Sequence, residues 1–385
     1  MASSAFSGWA GPRNPKLLII GEAWGENEWM VKQPFVGSSG ELLWGMLGQA
    51  IQDVEPELHR QSHNEYFKLG PAWVRNRSRW LEAAGIAYTN VINLQPPGNK
   101  IDAFCCTKKE LQAQETSEYR QPALARGLYL RPQYLPEVDR LLSELATSRP
   151  NCILATGNTP SWALLHTTNI SAIRGAVSLG YTDPQIKVVP TYHPAAILRQ
   201  WSWRPIGVAD IIKAYREAQY PELIRPERTV LINPTIHDLI GARDRLLAFK
   251  PSLVAADIET QWKQIRCIGF ASASDSALVI PFIDPSKPGA NYWSTFEEER
   301  ETWQITKTIL ESTIPKLFQN GMYDLQYIVK MGIRPQNCLH DTMLLHHSLF
   351  PEMRKSLGFL GSIYTNEQSW KLMGRPKADT VKRDE

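Results

Sequence analysis

Residues 17–25 read LLIIGEAWG, an apolar run that passes directly into a glycine-containing turn. Four consecutive apolar residues bounded by glycine are typical of a strand that is buried on both faces. Strands of this kind belong to parallel sheets covered by helices, and ligands bind at the loops that leave the carboxyl edge of such sheets. The stretch therefore predicts an α/β domain with a ligand site beside Gly21.

Similar segments continue this pattern through the first half of the chain. Further strands are predicted at Ile86 to Ile92, Cys152 to Thr156 and Val188 to Pro190, with helices at Glu41 to Ile51, Tyr134 to Thr147 and Thr159 to His166. The alternation predicts a parallel sheet with helices on both faces. Because parallel strands end at one edge of a sheet, we expect Asn90, Gly157 and residues 191–194 to meet near the first turn.

Composition limits the class of protein. The chain has 385 residues, which suggests two domains, and its 43% hydrophobic and 21% charged residues suit globular folds. A net charge of +3 is too small to indicate a nucleic-acid partner by itself. A local patch at Lys68, Arg75, Arg77 and Arg79 is a candidate DNA contact, although a solvated helix face explains it equally well.

The start of the chain and its cysteines restrict location and cofactors. The first residues lack a signal-peptide pattern, and no apolar run reaches the 18 or so residues needed to span a bilayer, so we expect an intracellular protein without a membrane partner. The five cysteines include no C-x-x-C pair. We therefore expect neither a disulfide framework nor an iron–sulfur cluster.

A proline-rich, charged stretch at residues 220–234 carries no helical period and marks a domain boundary. The predicted organisation is a first domain over 1–220, a linker and lead-in over 221–250, and a second domain over 251–385. The second domain begins with a strand at Leu253 to Glu259, continues with strands at Cys267 to Ala271 and Ala277 to Pro281, and has a helix at Phe296 to Leu310.

The motifs of the first domain resemble, in order, those of the uracil-DNA glycosylase superfamily, closest to its family 4. They are GEAWGENE at 21–28, PFVGSSGELL at 34–43, TNV at 89–91, PPGNK at 96–100, RG at 174–175 and TYHPAAILR at 191–199. The resemblance implies a three-layer parallel-sheet fold and DNA as the partner, either uracil-containing or single-stranded. Trp24 stands where the family usually has proline, and Ala195 where serine is frequent.

Base excision explains the residue types in these motifs. A flipped base needs an aromatic ring on its face and a polar group on its Watson–Crick edge, roles suited to Phe35 and to the Asn90 amide, with Gly21 and Ala23 lining the base pocket. Breaking the glycosidic bond leaves an anionic base, and His193 suits the donor that stabilises it. A carboxylate that positions water is expected at Glu28, with Glu22 as the nearby alternative.

Two further segments are candidate contacts to the DNA strand. Backbone amides in the glycine turn at Gly98, with Asn99 and Lys100, can hold flanking phosphates. Leu198 and Arg199 follow the histidine and are candidates for a wedge that enters the gap left by the flipped base.

The second domain carries carboxylates in a metal-binding pattern. Asp257 and Glu259 alternate along a strand and so share one face, and Asp324 follows a predicted strand at Lys316 to Gln319. Together they predict a site for Mg²⁺ or Mn²⁺.

These acidic motifs resemble the first two motifs of DnaQ-like 3'-5' exonucleases. The segments HDTM at 340–343, KSLGFL at 355–360 and IYT at 363–365 resemble the proofreading domain of phage-type family A DNA polymerases. The resemblance implies a ribonuclease-H-like fold. The family's third motif, a tyrosine followed by an aspartate, does not follow Tyr364, so we expect an incomplete exonuclease domain, a downstream DNA polymerase polypeptide as partner, and a bacterial host cytoplasm if a phage encodes the chain.

Three functions remain open from the sequence. The first is an enzyme that removes uracil or another modified pyrimidine from DNA. The second is a non-catalytic base-sensing or DNA-binding module of a phage-type DNA polymerase. The third, a dinucleotide-dependent enzyme, is disfavoured because the Gly21 turn lacks the G-x-G-x-x-G spacing.

Overall fold

The computed structural model describes residues 6–59, 73–113 and 122–367. The chain forms two compact units, one made of Met1–Leu223 with Gly358–Glu385 and the other of Ile224–Leu357. Each unit has its own sheet and its own hydrophobic core. In the described part of the chain, no helix is both long and apolar enough to cross a membrane.

The first unit is built on a five-stranded sheet. Its strands are β1 (Leu17–Ala23), β2 (Ile86–Ile92), β5 (Cys152–Thr156), β6 (Ser178–Leu179) and β7 (Lys187–Thr191), and their order across the sheet is β2-β1-β5-β7-β6. Every pairing is parallel except that of the edge strand β6 with β7. A separate antiparallel pair joins β3 (Cys105–Cys106) to β4 (Tyr129–Leu130).

Helices surround this sheet. They are α1 (Glu26–Val31), α2 (Ser38–Val54), α3 (Trp73–Ala84), α4 (Lys108–Ala113), α5 (Leu135–Ser148), α6 (Asn158–Leu165), α7 (Ile170–Ile173), α8 (Pro194–Arg199) and α9 (Arg204–Glu217). The central strands are buried along most or all of their length because both faces of the sheet are covered. Leu18 and Ile20 of β1, for example, lie in one core cluster with Leu141 of α5 and Trp162 of α6.

The second unit contains a six-stranded mixed sheet. Its strands are β8 (Thr229–Leu231), β9 (Val254–Gln261), β10 (Gln264–Ala273), β11 (Ser276–Pro281), β12 (Lys316–Phe318) and β13 (Cys338–Asp341), in the order β13-β12-β9-β10-β11-β8. An antiparallel meander, β9 to β11, continues into β12 and β13, which run parallel to β9. This arrangement is the ribonuclease-H-like fold, and the predicted fold class is confirmed for both units.

Four helices complete the second unit. They are α10 (Ile236–Phe249), α11 (Phe296–Leu310), α12 (Met322–Lys330) and α13 (Thr342–Leu349). Thr295 is the N-cap of helix α11. Its side chain accepts a hydrogen bond from Glu298 N, and Thr295 N donates one to the Glu298 carboxylate, which together form a capping box. Its apolar face places Ile305 and Ile309 in the core, as the 3.6-residue period predicts.

A last helix, α14 (Leu357–Tyr364), carries the chain back to the first unit. The ammonium group of Lys213 on α9 donates hydrogen bonds to Ser362 O at 2.6 Å, to Thr365 O and to Gly175 O at 2.7 Å. Arg174 Nη1 donates to Ser362 Oγ at 2.8 Å. We call residues 358–367 the returning segment. The sequence-based division at 1–220 and 251–385 remains a prediction, and the compact units depart from it at this segment.

Candidate functional site

A cavity of about 680 Å³ lies at the carboxyl edge of the first sheet. Four strand ends contribute to its lining: Glu22 on β1, Asn90 on β2, Gly157 after β5 and His193 after β7. This convergence is the one expected from parallel strands, since all of them end at the same edge. The cavity therefore brings together most of the side chains singled out for the first domain.

His193 occupies the N-cap position of α8. Its Nδ1 atom accepts a hydrogen bond from Ala195 N at 3.1 Å, so the neutral ring carries its hydrogen on Nε2. Burial, together with the positive charge of Arg199, lowers the pKa of His193 to about 4. The imidazole is therefore neutral near pH 7, and the hydrogen bond from Ala195 N to Nδ1 leaves it one N–H, on Nε2, to donate.

The predicted base-reading groups pack closely together. A Cβ atom on Gly21 would lie 2.1 Å from Asn90 Oδ1 and 2.8 Å from Phe35 Cζ, so only glycine fits there. Asn90 is 2% exposed and Phe35 is 3% exposed. The Asn90 Nδ2 atom has no hydrogen-bond partner among the described residues. An unpaired buried donor costs about 1–3 kcal/mol, which a ligand with a matching acceptor would recover.

Two carboxylates line the cavity and differ in their partners. Glu28 accepts hydrogen bonds from Gly25 N at 2.6 Å and from Phe35 N, so it holds the start of α1 and the backbone of Phe35. Glu22 accepts one from Thr159 Oγ1 at 2.5 Å. Burial raises the pKa of both carboxyls, and the negative charge of Asp102 adds to the effect at Glu22. Glu28 therefore has a structural duty that the sequence did not indicate.

A buried ion cluster supports Asn90 from behind, and sequence reasoning missed it. Arg140 Nη2 donates to Asn90 O at 2.7 Å and to Val91 O at 3.1 Å. Its other nitrogens pair with Glu137 at 3.1 Å and Glu144 at 2.7 Å. The spacing of these three residues on α5 was a possible signal, because positions three and four apart share a helix face. The cluster fixes the end of β2 and so the Asn90 backbone.

The predicted basic patch is wrong at Arg77. Its side chain is buried: Nη1 donates to Phe35 O at 2.6 Å, and the guanidinium lies 5.2 Å from the centre of the Tyr88 ring. Arg77 thus holds the segment that carries Phe35 and offers no charge to solvent. Lys68 and the side chains of Arg75 and Arg79 lie outside the described residues.

Aromatic side chains that the sequence did not single out form part of the wall. Tyr192 and Trp203 both line the cavity and stack on each other, with ring centroids 4.2 Å apart. Trp24, at the position where proline was expected from the resemblance, is buried and also lines the cavity. These rings add aromatic surface to the wall of the cavity.

The predicted strand contacts are only partly brought together. Asn99 and Arg199 line the cavity, whereas Gly98, Lys100 and Leu198 do not. Of the two small residues predicted in the base pocket, Ala23 lines the cavity and Gly21 does not. Gly98 and Asn99 have left-handed backbone angles, with φ of 62° and 55°, in the turn Pro97–Asn99. Lys100 and Leu198 are exposed.

The acidic residues of the second unit share one region of its sheet. Asp257 and Glu259 are exposed on one face of β9, and Asp324 on α12 accepts a hydrogen bond from Ile258 N at 2.9 Å. Desolvation and the charges of Asp324 and Glu259 raise the pKa of Asp257 to about 6. The three side chains are near enough to repel one another.

These residues do not fit a metal ion as they stand. Across residues 6–59, 73–113 and 122–367, no group of three histidine, cysteine, aspartate or glutamate side chains is placed to hold one. Asp324 Oδ1 is already engaged by Ile258 N. The neighbouring Asp341 caps α13 and accepts from Gly321 N and Met343 N.

Comparison with known proteins gives a family match for the first unit. Residues 9–219 match the model of the family described as "Uracil DNA glycosylase superfamily". The chain is also similar to a type-4 uracil-DNA glycosylase of Archaeoglobus fulgidus, with 25% identity over 195 residues, which is 49% of this chain and 69% of the relative.

Two solved structures resemble part of the chain. One is the crystal structure of Escherichia coli RNase D, described as an exoribonuclease involved in structured RNA processing, with 20% identity and a TM-score of 0.24 over 34% of this chain and 31% of that one. The other is Brucella melitensis NrnC, with 20% identity and a TM-score of 0.23 over 37% of this chain and 60% of that one. The chain thus spans less than two thirds of either neighbour.

Proposed function

The chain belongs to the uracil DNA glycosylase superfamily, and on that premise we propose that its first unit removes uracil, or another modified pyrimidine, from DNA by hydrolysing the N-glycosidic bond. The observation that carries the proposal is the tautomer of His193. Its Nδ1 atom is occupied by Ala195 N, which leaves a neutral Nε2–H as a donor at the cavity.

In this proposal the base leaves as an anion. The bond between the sugar C1' and the base nitrogen breaks with its electrons on the base, and His193 Nε2–H donates a hydrogen bond to the carbonyl oxygen where charge develops. A neutral donor suits this role because it stabilises the anion by a hydrogen bond and keeps its own proton. Phe35 supplies the stacking face, and Asn90 Nδ2 pairs with a second carbonyl oxygen of the base.

Water completes the reaction at the sugar. It adds to C1' as the oxocarbenium-like sugar forms, and a carboxylate orients it and accepts its proton. We assign this role to Glu22, because Glu28 already uses both oxygens to hold Gly25 and Phe35. Glu28 then positions the stacking ring and leaves the water to Glu22.

The test is excision from a labelled oligonucleotide with one uracil, cleaved with alkali at the abasic site and resolved on a gel. We expect His193→Ala and Asn90→Ala each to slow single-turnover excision about a hundredfold or more, since loss of a donor to a developing charge commonly costs that much. His237→Ala, an exposed histidine of the second unit, is the matched control. Unchanged excision kinetics in both cavity variants would contradict the assignment of the cavity as the active site.

The same assay distinguishes a catalytic first unit from a non-catalytic one. A base-sensing module would bind the uracil oligonucleotide and leave no alkali-sensitive site. Binding that depends on Asn90 without any excision would therefore select this alternative.

For the second unit we propose a 3'-5' exonuclease-like module that works with a DNA polymerase polypeptide. Its ribonuclease-H-like strand order and the shared face of Asp257 and Glu259 support the proposal. Because the described carboxylates do not assemble a metal-holding group, the module is proposed to contact DNA and to degrade it poorly on its own.

A further inference from the structure

Two tryptophans near the cavity are exposed to solvent. Trp29 is 43% exposed and Trp201 is 60% exposed, whereas Trp44 and Trp162 of the same unit are fully buried. Aromatic side chains dominate the energetics of cores and interfaces, but a single exposed ring is common on a protein surface and assigns no binding role by itself. Trp29 and Trp201 are distinguished by their position beside the cavity.

Each of these rings belongs to a segment that lines the cavity. Trp29 lies on α1 next to Glu28, and its ring centroid is 5.8 Å from that of Trp24, which forms part of the wall. Trp201 begins the turn Trp201–Trp203, between the lining residues Arg199 and Trp203. The cavity thus has an exposed indole beside it on two separate segments.

Each exposed ring also has a cation over one of its faces, so a base would stack on the opposite face. Lys32 Nζ lies 2.9 Å from the centroid of the Trp29 ring, and the Arg204 guanidinium lies 5.6 Å from that of Trp201. The exposed Arg199 adds a further positive charge at the cavity. Glu26 on α1 opposes phosphate binding there, so the contribution of α1 rests on its ring. Ring and cation together match the base and phosphate of a nucleotide.

We propose that Trp29 and Trp201 are stacking platforms for the unpaired bases on either side of the flipped nucleotide, so that single-stranded DNA is the preferred ligand of the cavity. The choice of DNA rests on the proposed function. A base offers its face to a tryptophan only when it is not stacked inside a duplex, whereas stacking tolerates any sequence because every base has a π-face. A duplex would leave both platforms unused.

The experiment measures binding of the full chain to a fluorescent, uracil-free oligonucleotide, either single-stranded or annealed to its complement. We expect Trp29→Ala and Trp201→Ala each to weaken single-strand binding about tenfold and to leave duplex binding unchanged. Trp29→Phe and Trp201→Phe should restore most of the affinity because they keep an aromatic face. Tyr181→Ala is the matched control, since Tyr181 is 65% exposed in the same unit and does not line the cavity.

Three outcomes would overturn the inference: no measurable single-strand binding by the wild-type chain, wild-type affinity in both alanine variants, or an equal loss on single strand and duplex. The probe contains no uracil, so the result does not depend on excision. Binding losses in a chain that excises nothing would leave this inference standing and remove the proposed function. Robust excision with unchanged binding would do the reverse.

Discussion

The cavity of the first unit and the acidic face of the second both bring polar groups together, but they differ in whether hydrogen-bond partners hold those groups in place. Around the cavity, His193, Glu28 and Arg140 each have partners that fix their orientation before any ligand arrives. On the acidic face, Asp257 and Glu259 are exposed, and neighbouring negative charges help to raise the pKa of Asp257. Preorganised donors favour a reaction, whereas unpartnered carboxylates need a further group before they can act. Matching residue types are thus not sufficient for a site.

The largest effect is expected from the ion cluster behind Asn90. Arg140→Met should lower the free energy of unfolding of the first unit by about 3–5 kcal/mol, because it leaves Glu137 and Glu144 buried without their cation. Urea unfolding measures this. Arg126→Met is the control, since its pair with Asp102 is exposed at 3.8 Å and should contribute below about 1 kcal/mol. Equal stability of the two variants would show that the cavity is not supported in this way.

The next effect concerns the returning segment. Lys213→Met removes three hydrogen bonds from a charged donor and should cost about 1–3 kcal/mol, with loss of amide protection in residues 358–367. Hydrogen exchange read by mass spectrometry measures it. Lys307→Met, at an exposed helix pair, should leave that protection intact.

Proteolysis gives a second view of the same contact. Cleavage between Pro221 and Pro234 should leave wild-type fragments associated through this segment, whereas the Lys213 variant should release a folded first unit. Full protection of residues 358–367 in Lys213→Met would contradict the assignment.

A smaller effect is expected from pH. The pKa of His193 is lowered to about 4, below its unfolded value of about 6.5, so the unfolded chain takes up a proton that the folded chain does not. The resulting stability is present above pH 6.5 and is lost as the pH falls toward 4. Urea unfolding at pH 7, 6 and 5 should show a shallower decline in His193→Gln, which lacks the titrating ring. Parallel declines would place the imidazole in solvent.

The smallest effect is expected on the acidic face. Asp257→Asn should leave magnesium-dependent degradation of a 3'-labelled single strand unchanged, because the wild-type chain should itself degrade it poorly. Denaturing gels over a range of MgCl₂ concentrations measure this. Robust degradation by the wild-type chain that disappears in Asp257→Asn would contradict this difference between the two units. The carboxylates would then support degradation without a further group.

Local sequence patterns predicted much of the fold. The strands predicted at Ile86 to Ile92 and Cys152 to Thr156, and the helix at Phe296 to Leu310, have the observed bounds. Apolar runs bounded by turn residues and a capped amphipathic helix are local signals, so no long-range information was needed. The convergence of Asn90 and His193 followed from the predicted parallel direction of the strands.

Contacts between residues far apart in the sequence could not be predicted from such local signals. Nothing near Arg77 indicates that its guanidinium ends on Phe35 O, because an arginine in a helical pattern usually faces solvent. Lys213 and Ser362 are far apart in the chain, and no periodicity joins them. The metal prediction at Asp324 stays a prediction, and nothing in the sequence indicated that this carboxylate also accepts a hydrogen bond from the backbone amide of Ile258.

The returning segment determines when the first unit can finish folding during synthesis at the ribosome. The contacts of Lys213 with Ser362 and Thr365 can form only after all of Ile224–Leu357 has been translated. At ordinary elongation speeds this is a delay on the order of ten seconds. During that time Lys213 has Gly175 O as an acceptor but lacks Ser362 O and Thr365 O, so the last two of its hydrogen bonds form only after the second unit has been synthesised.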